Sequence, residues 1–361
     1  MKILVIYATA GAGHRKAAEA VYEGIKAHTE HEVVLIDSLD YTNKFYKKFY
    51  SQGYTFVVTY APWLWGFLFE LIDLPFILPL VRLAHRLQNF LNAEKLADYF
   101  IEQDFDYIIT THFFPCEVSS YLKRKGVIRS KVICSVTDYD VHNIWLSKGV
   151  DTYLAATDLT ARRLKEYGIA EQNIAIVGIP TNEKFSSHND INALKERLGL
   201  LTDEFTVLVA TGSFGIGPIE EIVQRVMGCQ ILVVCGHNKE LYNRLKPKEN
   251  DIHKIFGLVN NMDELMAVSD VMVSKPGGLS ISEALVSQLP LIFFNAILGQ
   301  ETNNIQMLNA YGVGHNTSDV REIARVVEDL RKDAERLEAE KARIKSLAKP
   351  HAVKDIISLL Q

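Results

Sequence analysis

The stretch Leu4–Val21, "LVIYATAGAGHRKAAEAV", decides the fold. An apolar run from Ile3 to Ala8 predicts a buried strand. It stops at small residues and two glycines, after which a helical pattern extends from about Arg15 to His28. "HEVVLIDSLD" then predicts a second strand ending at Asp37. Strand, helix and strand in this order form a βαβ unit, which indicates a parallel sheet covered by helices on both faces.

The same pattern continues along the chain and restarts in its second half. Buried strands are predicted in "FDYIITTHFFP", "SKVICSVTDYD", "VDTYLAAT" and "NIAIVGIP", because continuous apolar runs are typical of strands covered on both faces. After the polar, aperiodic "PTNEKFSSHND", the segments "FTVLVATGSFGIGPIEEIVQRV" and "DVMVSKPGGLSISEALVSQ" again place a glycine loop between a strand and a helix. We therefore predict an α/β protein of two Rossmann-like, doubly wound domains facing each other across a cleft.

The predicted boundaries follow the polar stretch. The first domain covers 1–182 and carries a helical aromatic insertion at about 41–95. A linker covers 183–190, the second domain 191–345, and the tail 346–361 can return to the first domain.

Composition excludes several classes of protein. The chain has 361 residues and a net charge of −5, so it lacks the basic surplus of a nucleic-acid-binding protein. Its four cysteines form no C-x-x-C pair, which indicates buried reduced thiols and predicts neither a metal site nor a disulfide framework. The apolar stretch at the amino terminus is too short for a signal peptide, so a cytoplasmic location is expected.

The insertion is crowded with aromatic residues in "NKFYKKFYSQGYTFVVTYAPWLWGFLFELIDLPFILPLVRLAHRL". Two acidic residues, Glu70 and Asp73, and three prolines argue against a membrane-spanning helix. Large aromatic rings flanked by lysines and arginines are typical of a segment that lies in the membrane interface and meets anionic lipids. The alternatives are an internal aromatic cluster and a dimer contact. The rings concerned are Trp63, Trp65, Phe67, Phe69 and Phe76.

Three strand tips lead into glycine loops, at 11–14, 212–217 and 277–280. Unpaired amides and the dipole of a helix amino terminus favour phosphate at such tips. The first loop matches a dinucleotide fingerprint only in part, because Lys16 stands where the third glycine belongs, although Asp37 is suitably placed for a ribose. The helix dipole disfavours a charged His14, which would keep its ring neutral and able to accept a proton. A purely structural His14 is the other interpretation.

Several motifs together resemble one enzyme family. They are "ATAGAGHRKAAEAV", "VTDYDVHNIWLSKGVDTYLAAT" and "GIP" in the first half, and "ATGSFGIG", "CGHN", "SKPGGLSISEAL" and "LGQETNN" in the second. The chain resembles the monogalactosyldiacylglycerol synthase and processive diacylglycerol glucosyltransferase group, within the larger family that includes the peptidoglycan GlcNAc transferase. The resemblance implies the GT-B fold, with the acceptor domain first and the UDP-sugar domain second. It also implies inverting transfer of a hexose from a UDP-sugar to diacylglycerol, with no cofactor and no active-site metal.

The resemblance also assigns roles to individual residues. Glu283 would bind the ribose hydroxyls, the backbone of Val259 would read the uracil, and Gln300 with Glu301 would contact the hexose. Amides near the leaving diphosphate would belong to Gly212, Ser213, Gly277, Gly278, Leu279 and Ser280. His14, with a carboxylate such as Asp138, would be the catalytic base, and Gly13, His112 and His142 would line the acceptor side. The aromatic insertion, with Trp63, Trp65, Phe67 and Phe69, would contact the membrane.

These residues leave several alternatives open. The acceptor could be another lipid or hydrophobic molecule, and a non-catalytic sensor of UDP-sugars is possible in the same fold. An NAD-dependent enzyme is a weaker third hypothesis. UDP-glucose and UDP-galactose are both candidate donors, and peripheral attachment to the cytoplasmic face of the membrane is expected. The oligomeric state, the processivity and the identity of the base stay open.

Overall fold

The computed structural model describes the chain at 1–9, 11–43, 46–48, 53, 57, 62–73, 92–188, 190–213, 215–294 and 296–361. The chain divides into two compact units. The amino-terminal unit comprises Met1–Asn182, Ile297–Asn303 and His351–Gln361, and the carboxy-terminal unit comprises Glu183–Ala296 and Asn304–Pro350.

The amino-terminal unit is built on a six-stranded sheet in the order β2-β1-β3-β4-β5-β6. Every pairing in it is parallel. The interior strands are mostly apolar and buried because both faces of the sheet are covered. The strands are β1 (Lys2–Tyr7), β2 (Glu32–Asp37), β3 (Tyr107–Thr110), β4 (Lys131–Ser135), β5 (Thr152–Ala155) and β6 (Ile174–Ile176).

The helices of this unit connect those strands. The first helix begins at Ala12, three residues earlier than the sequence pattern indicates, because Gly11 turns the chain with φ of 129° at the cap position. The helices are α1 (Ala12–His28), α2 (Pro62–Asp73), α3 (Glu94–Gln103), α4 (Phe113–Arg124) and α5 (Asp158–Glu166).

The carboxy-terminal unit repeats the architecture with a second six-stranded sheet, in the order β12-β11-β10-β7-β8-β9 and again wholly parallel. Its strands are β7 (Thr206–Ala210), β8 (Gln230–Val234), β9 (His253–Phe256), β10 (Val271–Ser274), β11 (Leu291–Phe293) and β12 (His315–Asn316). Its helices are α6 (Ile191–Arg197), α7 (Ile219–Arg225), α8 (Lys239–Leu245), α9 (Met262–Ala267), α10 (Gly278–Val286), α12 (Val320–Lys332) and α13 (Ala334–Leu347). The helix α11 (Gln300–Asn309) begins in the amino-terminal unit and continues into this one from Asn304. The predicted fold class, two doubly wound α/β domains, is confirmed.

The last helix, α14 (Ala352–Ser358), packs on α1 of the amino-terminal unit. Ile356 lies in the same apolar cluster as Val21 and Ile25 of α1. The two helices approach closely at Gly24, where an added Cβ would lie 2.1 Å from Cγ1 of Val353. The carbonyl oxygen of Gln361, beyond α14, accepts a hydrogen bond of 2.8 Å from the Tyr107 hydroxyl of β3. The end of the chain is thus anchored to the first sheet.

We expect Gly24→Ala to destabilise the protein, although alanine is favoured over glycine in helices by about 1 kcal/mol. The new methyl group would overlap the stiff side chain of Val353, and overpacking costs about 1–3 kcal/mol. Calorimetry should show a lower melting temperature, by about 2–4 °C for each kcal/mol of net destabilisation. In a Val353→Ala background the same change should cost less; an equal loss in both backgrounds would refute the contact.

Candidate functional site

The order of strands places the first candidate site at one edge of the amino-terminal sheet. The chain runs from β1 outward to β2 and then returns to β3 on the other side of β1. At such a reversal the loops after the two central strands diverge and leave a crevice at their carboxyl ends, where α/β proteins bind ligands. His14 follows β1 on the first turn of α1, and His112 follows β3.

The side chain of His14 is held by neighbours from two other loops. Its Nδ1 lies 2.8 Å from the carbonyl oxygen of Thr111 and 2.9 Å from Oγ1 of Thr137. The Thr111 hydroxyl in turn donates a 2.8 Å hydrogen bond to the carbonyl oxygen of His14. Because a carbonyl oxygen only accepts, Nδ1 must carry the hydrogen, and the lone pair of the neutral ring is on Nε2. Among the residues the structure describes, Nε2 makes no hydrogen bond.

Burial lowers the pKa of His14 to about 4, an effect that the hydrogen bond to Thr111 partly offsets. The ring of His112 lies edge-on against it, with 4.7 Å between centroids, and the Trp145 ring lies at 6.0 Å. Burial, and then the proximity of His14, also lowers the pKa of His112 well below its usual value. Both imidazoles are therefore neutral at pH 7.

His112 and His142 both cap the element that follows them. Nδ1 of His112 accepts a 3.1 Å hydrogen bond from the amide of Phe114 at the start of α4. His142 does the same for the amide of Ile144, and its Nε2 lies 3.0 Å from the carbonyl oxygen of Phe69 in α2. His112 is thus beside His14, whereas His142 joins its loop to the aromatic helix.

Asp138 is hydrogen-bonded to two side chains other than His14. Its Oδ2 accepts from Nε1 of Trp145 at 3.3 Å, and its Oδ1 accepts from Nε2 of Gln300 at 2.8 Å. One turn later on α11, the side-chain amide of Asn303 donates a hydrogen bond from Nδ2 to Oδ2 of Asp140 at 3.0 Å. The structure therefore brings Asp138 together with Gln300, which the sequence assigns to the donor hexose. His14 is instead bonded to Thr111 and Thr137, which the sequence analysis did not single out.

Asp37, the residue suited to a dinucleotide ribose, has a structural role. Its Oδ2 accepts a 2.5 Å hydrogen bond from the Thr9 hydroxyl, and its Oδ1 accepts from the Leu39 amide at 3.0 Å. Both carboxylate oxygens thus hold the loops after β1 and β2. A ribose would have to compete with them, which weakens the NAD hypothesis.

The predicted donor loops lie at the corresponding reversal in the carboxy-terminal sheet. The chain runs from β7 outward to β8 and β9 and returns to β10 on the other side of β7. Gly212 and Ser213 follow β7, and Gly277–Ser280 follow β10. The two predicted loops thus come from adjacent strands.

Each of these loops has a defined conformation. Gly212 has φ of 78°, which favours glycine, and the carbonyl oxygen of Ser213 accepts a 2.8 Å hydrogen bond from the His237 amide. After β10, Gly277 caps α10, whose first hydrogen bond runs from the Ile281 amide to the Gly277 carbonyl at 3.0 Å. The amides of Gly278, Leu279 and Ser280 precede that bond and belong to the first turn, where an α-helix provides them no internal partner.

Three further residues of the carboxy-terminal unit bear on this site, and a fourth, Glu301, lies in the Ile297–Asn303 segment of the amino-terminal unit. Glu283 is partly buried in α10, and Val259 is partly buried between β9 and α9. Asn304, which the sequence analysis missed, is fully buried and donates a 3.1 Å hydrogen bond to the Pro276 carbonyl of the second loop. Its place in the "LGQETNN" motif was the available signal. Glu301 accepts a 2.7 Å hydrogen bond from the Ile297 amide, and this places its carboxylate at the start of α11.

The aromatic helix α2 leaves two large rings exposed, Trp63 at 68% and Phe67 at 59%. Phe69 instead turns inward, with its ring 4.1 Å from that of His142. The side chain of Trp65, and Phe76, lie outside the described residues. Within the part of the chain that the structure covers, no helix has both the length and the apolar character to cross a membrane. The described residues also contain no cluster of three or more His, Cys, Asp or Glu side chains that could hold a metal ion.

We expect the neutral, buried ring of His14 to make the free energy of unfolding depend on pH. Its folded-state pKa of about 4 lies below the unfolded value of 6.5, so the unfolded chain binds the proton more readily. Stability should be greatest above pH 6.5 and fall as the pH drops toward 4. In His14→Gln the melting temperature should fall less over this range, whereas exposed His351→Gln should follow the wild type. Identical slopes in His14→Gln and wild type would contradict the burial of the ring.

Comparison with known proteins identifies both units. The family model for monogalactosyldiacylglycerol (MGDG) synthase matches residues 14–181, and that for the glycosyltransferase family 28 carboxy-terminal domain matches residues 206–360. A processive diacylglycerol β-glucosyltransferase of Bacillus cereus (strain AH187) is 31% identical over 282 residues, which cover 76% of this chain and 70% of the relative.

Two solved structures share the fold at low sequence identity. Anabaena HepE in complex with UDP is similar with a TM-score of 0.58 and 15% identity, over 100% of this chain and 99% of that one. A Neisseria meningitidis UDP-GlcNAc 2-epimerase bound to UDP-GlcNAc has a TM-score of 0.60 and 13% identity over the same shares. Because an epimerase has this fold too, the fold alone does not determine the reaction, and the sequence matches decide the family. The chain belongs to the family of monogalactosyldiacylglycerol synthases and processive diacylglycerol glucosyltransferases, which are glycosyltransferases of the GT-B fold.

Proposed function

We propose that this protein transfers glucose from UDP-glucose to diacylglycerol, with inversion at the anomeric carbon, while attached to a membrane surface. The observation that carries the proposal is the pair of glycine loops after β7 and β10. They lie at the strand reversal of the carboxy-terminal sheet, which is where a nucleotide diphosphate binds in doubly wound folds. Glu283 follows on the helix that begins at the second loop.

The carboxy-terminal unit supplies the groups that a UDP-sugar needs. Amides of the first turn of α10, with the positive end of its dipole, are suited to binding a diphosphate. A carboxylate such as Glu283 can accept hydrogen bonds from both hydroxyls of a ribose. When the bond to the sugar breaks, negative charge develops on the β-phosphate, and fixed amide dipoles stabilise it without reorganisation. We therefore propose that departure of UDP needs no metal.

The amino-terminal unit supplies the base. Nε2 of neutral His14 takes the proton from the acceptor hydroxyl, and the hydroxyl oxygen forms the new bond to the anomeric carbon. The bond from that carbon to the UDP oxygen breaks, and UDP leaves with the electron pair. Asp138 serves this reaction through Gln300, because its Oδ1 holds the Gln300 amide at 2.8 Å. The amide oxygen of Gln300 is then oriented to accept a hydrogen bond from a sugar hydroxyl.

Glucose and inversion are supported by the relatives. The Bacillus cereus relative is named a β-glucosyltransferase. The sugar of UDP-glucose is α-linked, so a β-glucoside requires inversion, which a single displacement by a base-activated hydroxyl produces. The choice between glucose and galactose depends on one or two hydroxyl contacts, for which Gln300 and Glu301 are the candidate residues.

Attachment to the membrane follows from the acceptor. Diacylglycerol stays in the bilayer because each buried CH₂ contributes about 0.8 kcal/mol, so the enzyme must come to the lipid. The exposed rings of Trp63 and Phe67 are suited to insertion among the head groups. Phe69 and His142 connect this helix to the loop that carries Asp138.

We expect the purified protein to label diacylglycerol vesicles from UDP-[¹⁴C]glucose, with less product from UDP-[¹⁴C]galactose. Glu283→Ala should weaken UDP binding by about 10- to 100-fold in calorimetric titration, because hydrogen bonds to a charged acceptor are lost. The exposed Glu335→Ala on α13 is the matched control and should bind UDP normally. Unchanged UDP affinity in Glu283→Ala would contradict the donor site. UDP binding without any labelled lipid would instead favour another acceptor or a sensor.

We expect the double variant Trp63→Ser, Phe67→Ser to lose flotation with anionic vesicles. Burying a large apolar side chain is worth about 1.5–3 kcal/mol, so each ring should account for about a 10- to 150-fold change in partition. Ile101→Ser, which alters an exposed apolar residue on α3, should float like the wild type. The docking proposal fails if the double variant also floats normally.

A further inference from the structure

Catalytic histidines need a second group that fixes which ring nitrogen is free, and carboxylates often serve this purpose. In this protein the groups in contact with Nδ1 of His14 are the Thr111 carbonyl oxygen and the Thr137 hydroxyl, at 2.8 and 2.9 Å. Thr137 is buried two residues beyond the end of β4, and Thr111 is buried directly after β3. The strand order therefore brings both oxygens to the same ring atom.

The carbonyl oxygen of Thr111 determines which tautomer of His14 makes these two contacts. Because it can only accept, Nδ1 is a donor, and its single hydrogen is shared between the carbonyl and the Thr137 hydroxyl oxygen. Protonation of Nε2 makes the ring a cation, and hydrogen bonds from a cationic donor are stronger than those from a neutral one. Both oxygens thus favour the form that His14 reaches when it has taken a proton.

Among the described residues that contact the ring, none carries a charge that would compensate an imidazolium. The titratable group packed against it is His112, a neutral imidazole that supplies no negative charge. Asp138 follows Thr137 in the chain, but its hydrogen bonds to Trp145 and Gln300 engage both of its oxygens.

We propose that Thr137 is a positioning residue for His14: its hydroxyl oxygen orients the ring so that Nε2 faces the acceptor, and it stabilises the ring once Nε2 has received the proton. This inference rests on the proposed function, in which His14 is the base. The role of Thr137 is indirect, because this residue contacts His14 and not the reacting atoms. The proton moves from the acceptor hydroxyl to Nε2, while the hydrogen on Nδ1 stays where it is.

The test compares Thr137→Val, which keeps the shape and removes the hydroxyl, with Thr137→Ser, which keeps the hydroxyl. Thr110→Val is the matched control, because it removes another buried threonine hydroxyl, one that bonds to the Ile133 carbonyl at 3.3 Å. Transfer from UDP-[¹⁴C]glucose to diacylglycerol is measured over a pH series. The ring nitrogens of His14 are followed separately by NMR of protein with ¹⁵N-labelled histidine, with His14→Gln to assign the signals.

We expect Thr137→Val to lower kcat about 3- to 10-fold, the effect of one hydrogen bond, with KM for UDP-glucose unchanged. Its His14 signal should titrate at a lower pH than in the wild type, because an acceptor for the Nδ1 hydrogen is lost. Thr137→Ser should restore both readouts toward the wild type, and Thr110→Val should leave the His14 titration unchanged.

Two outcomes would overturn the inference. One is a Thr137→Val enzyme with unchanged kcat and unchanged His14 titration. The other is a Thr137→Ser enzyme as impaired as Thr137→Val, which would show that retaining the hydroxyl does not retain the function. Full transfer by His14→Gln would instead remove the proposed base. The NMR comparison would then still decide whether Thr137 sets the titration of the ring, so the two failures are distinguishable.

Discussion

The structure depends on one constraint, which is the order of the parallel strands in each sheet. The chain first adds strands on one side of a central strand and then returns to add strands on its other side. Each unit contains one such reversal, between β1 and β3 and between β7 and β10. Parallel strands bring all their carboxyl ends to one edge, and the reversal opens a crevice there because neighbouring connections leave on opposite faces. The candidate groups of both units lie in loops or first helical turns at these edges.

The two crevices use the same backbone geometry for different chemistry. In the carboxy-terminal unit, the amides of the first turn of α10 have no internal partner in the helix, an arrangement that favours an anion. In the amino-terminal unit the corresponding turn of α1 carries His14, and burial against His112 and Trp145 keeps that imidazole neutral. In the proposed function, one unit stabilises the negative charge that develops on a leaving group, and the other receives a proton.

Much of this was predictable because it is encoded locally. The apolar runs, the glycine loops and the position of His14 directly after a strand are properties of neighbouring residues, and they were sufficient for the fold class and for both loops. The partners of His14 were not predictable, because Thr111 and Thr137 lie 97 and 123 residues away. Asp138 is next to Thr137 in the chain, yet its side chain lies against Trp145 and Gln300. Consecutive residues beyond the end of a strand can contact different neighbours, and their spacing in the sequence does not indicate which neighbour each side chain contacts.

The sequence by itself determined the repeated βαβ pattern, the family and the chemical types available at each strand tip, because these follow from composition and short-range order. Only the tertiary structure decided which atoms meet. It placed a carbonyl and a hydroxyl on Nδ1 of His14, engaged Asp37 in holding two loops, and packed α14 on α1 through Gly24. The physical reason is that hydrogen bonds and close packing depend on distances of a few ångströms between segments far apart in the chain, which strand order and helix packing set together.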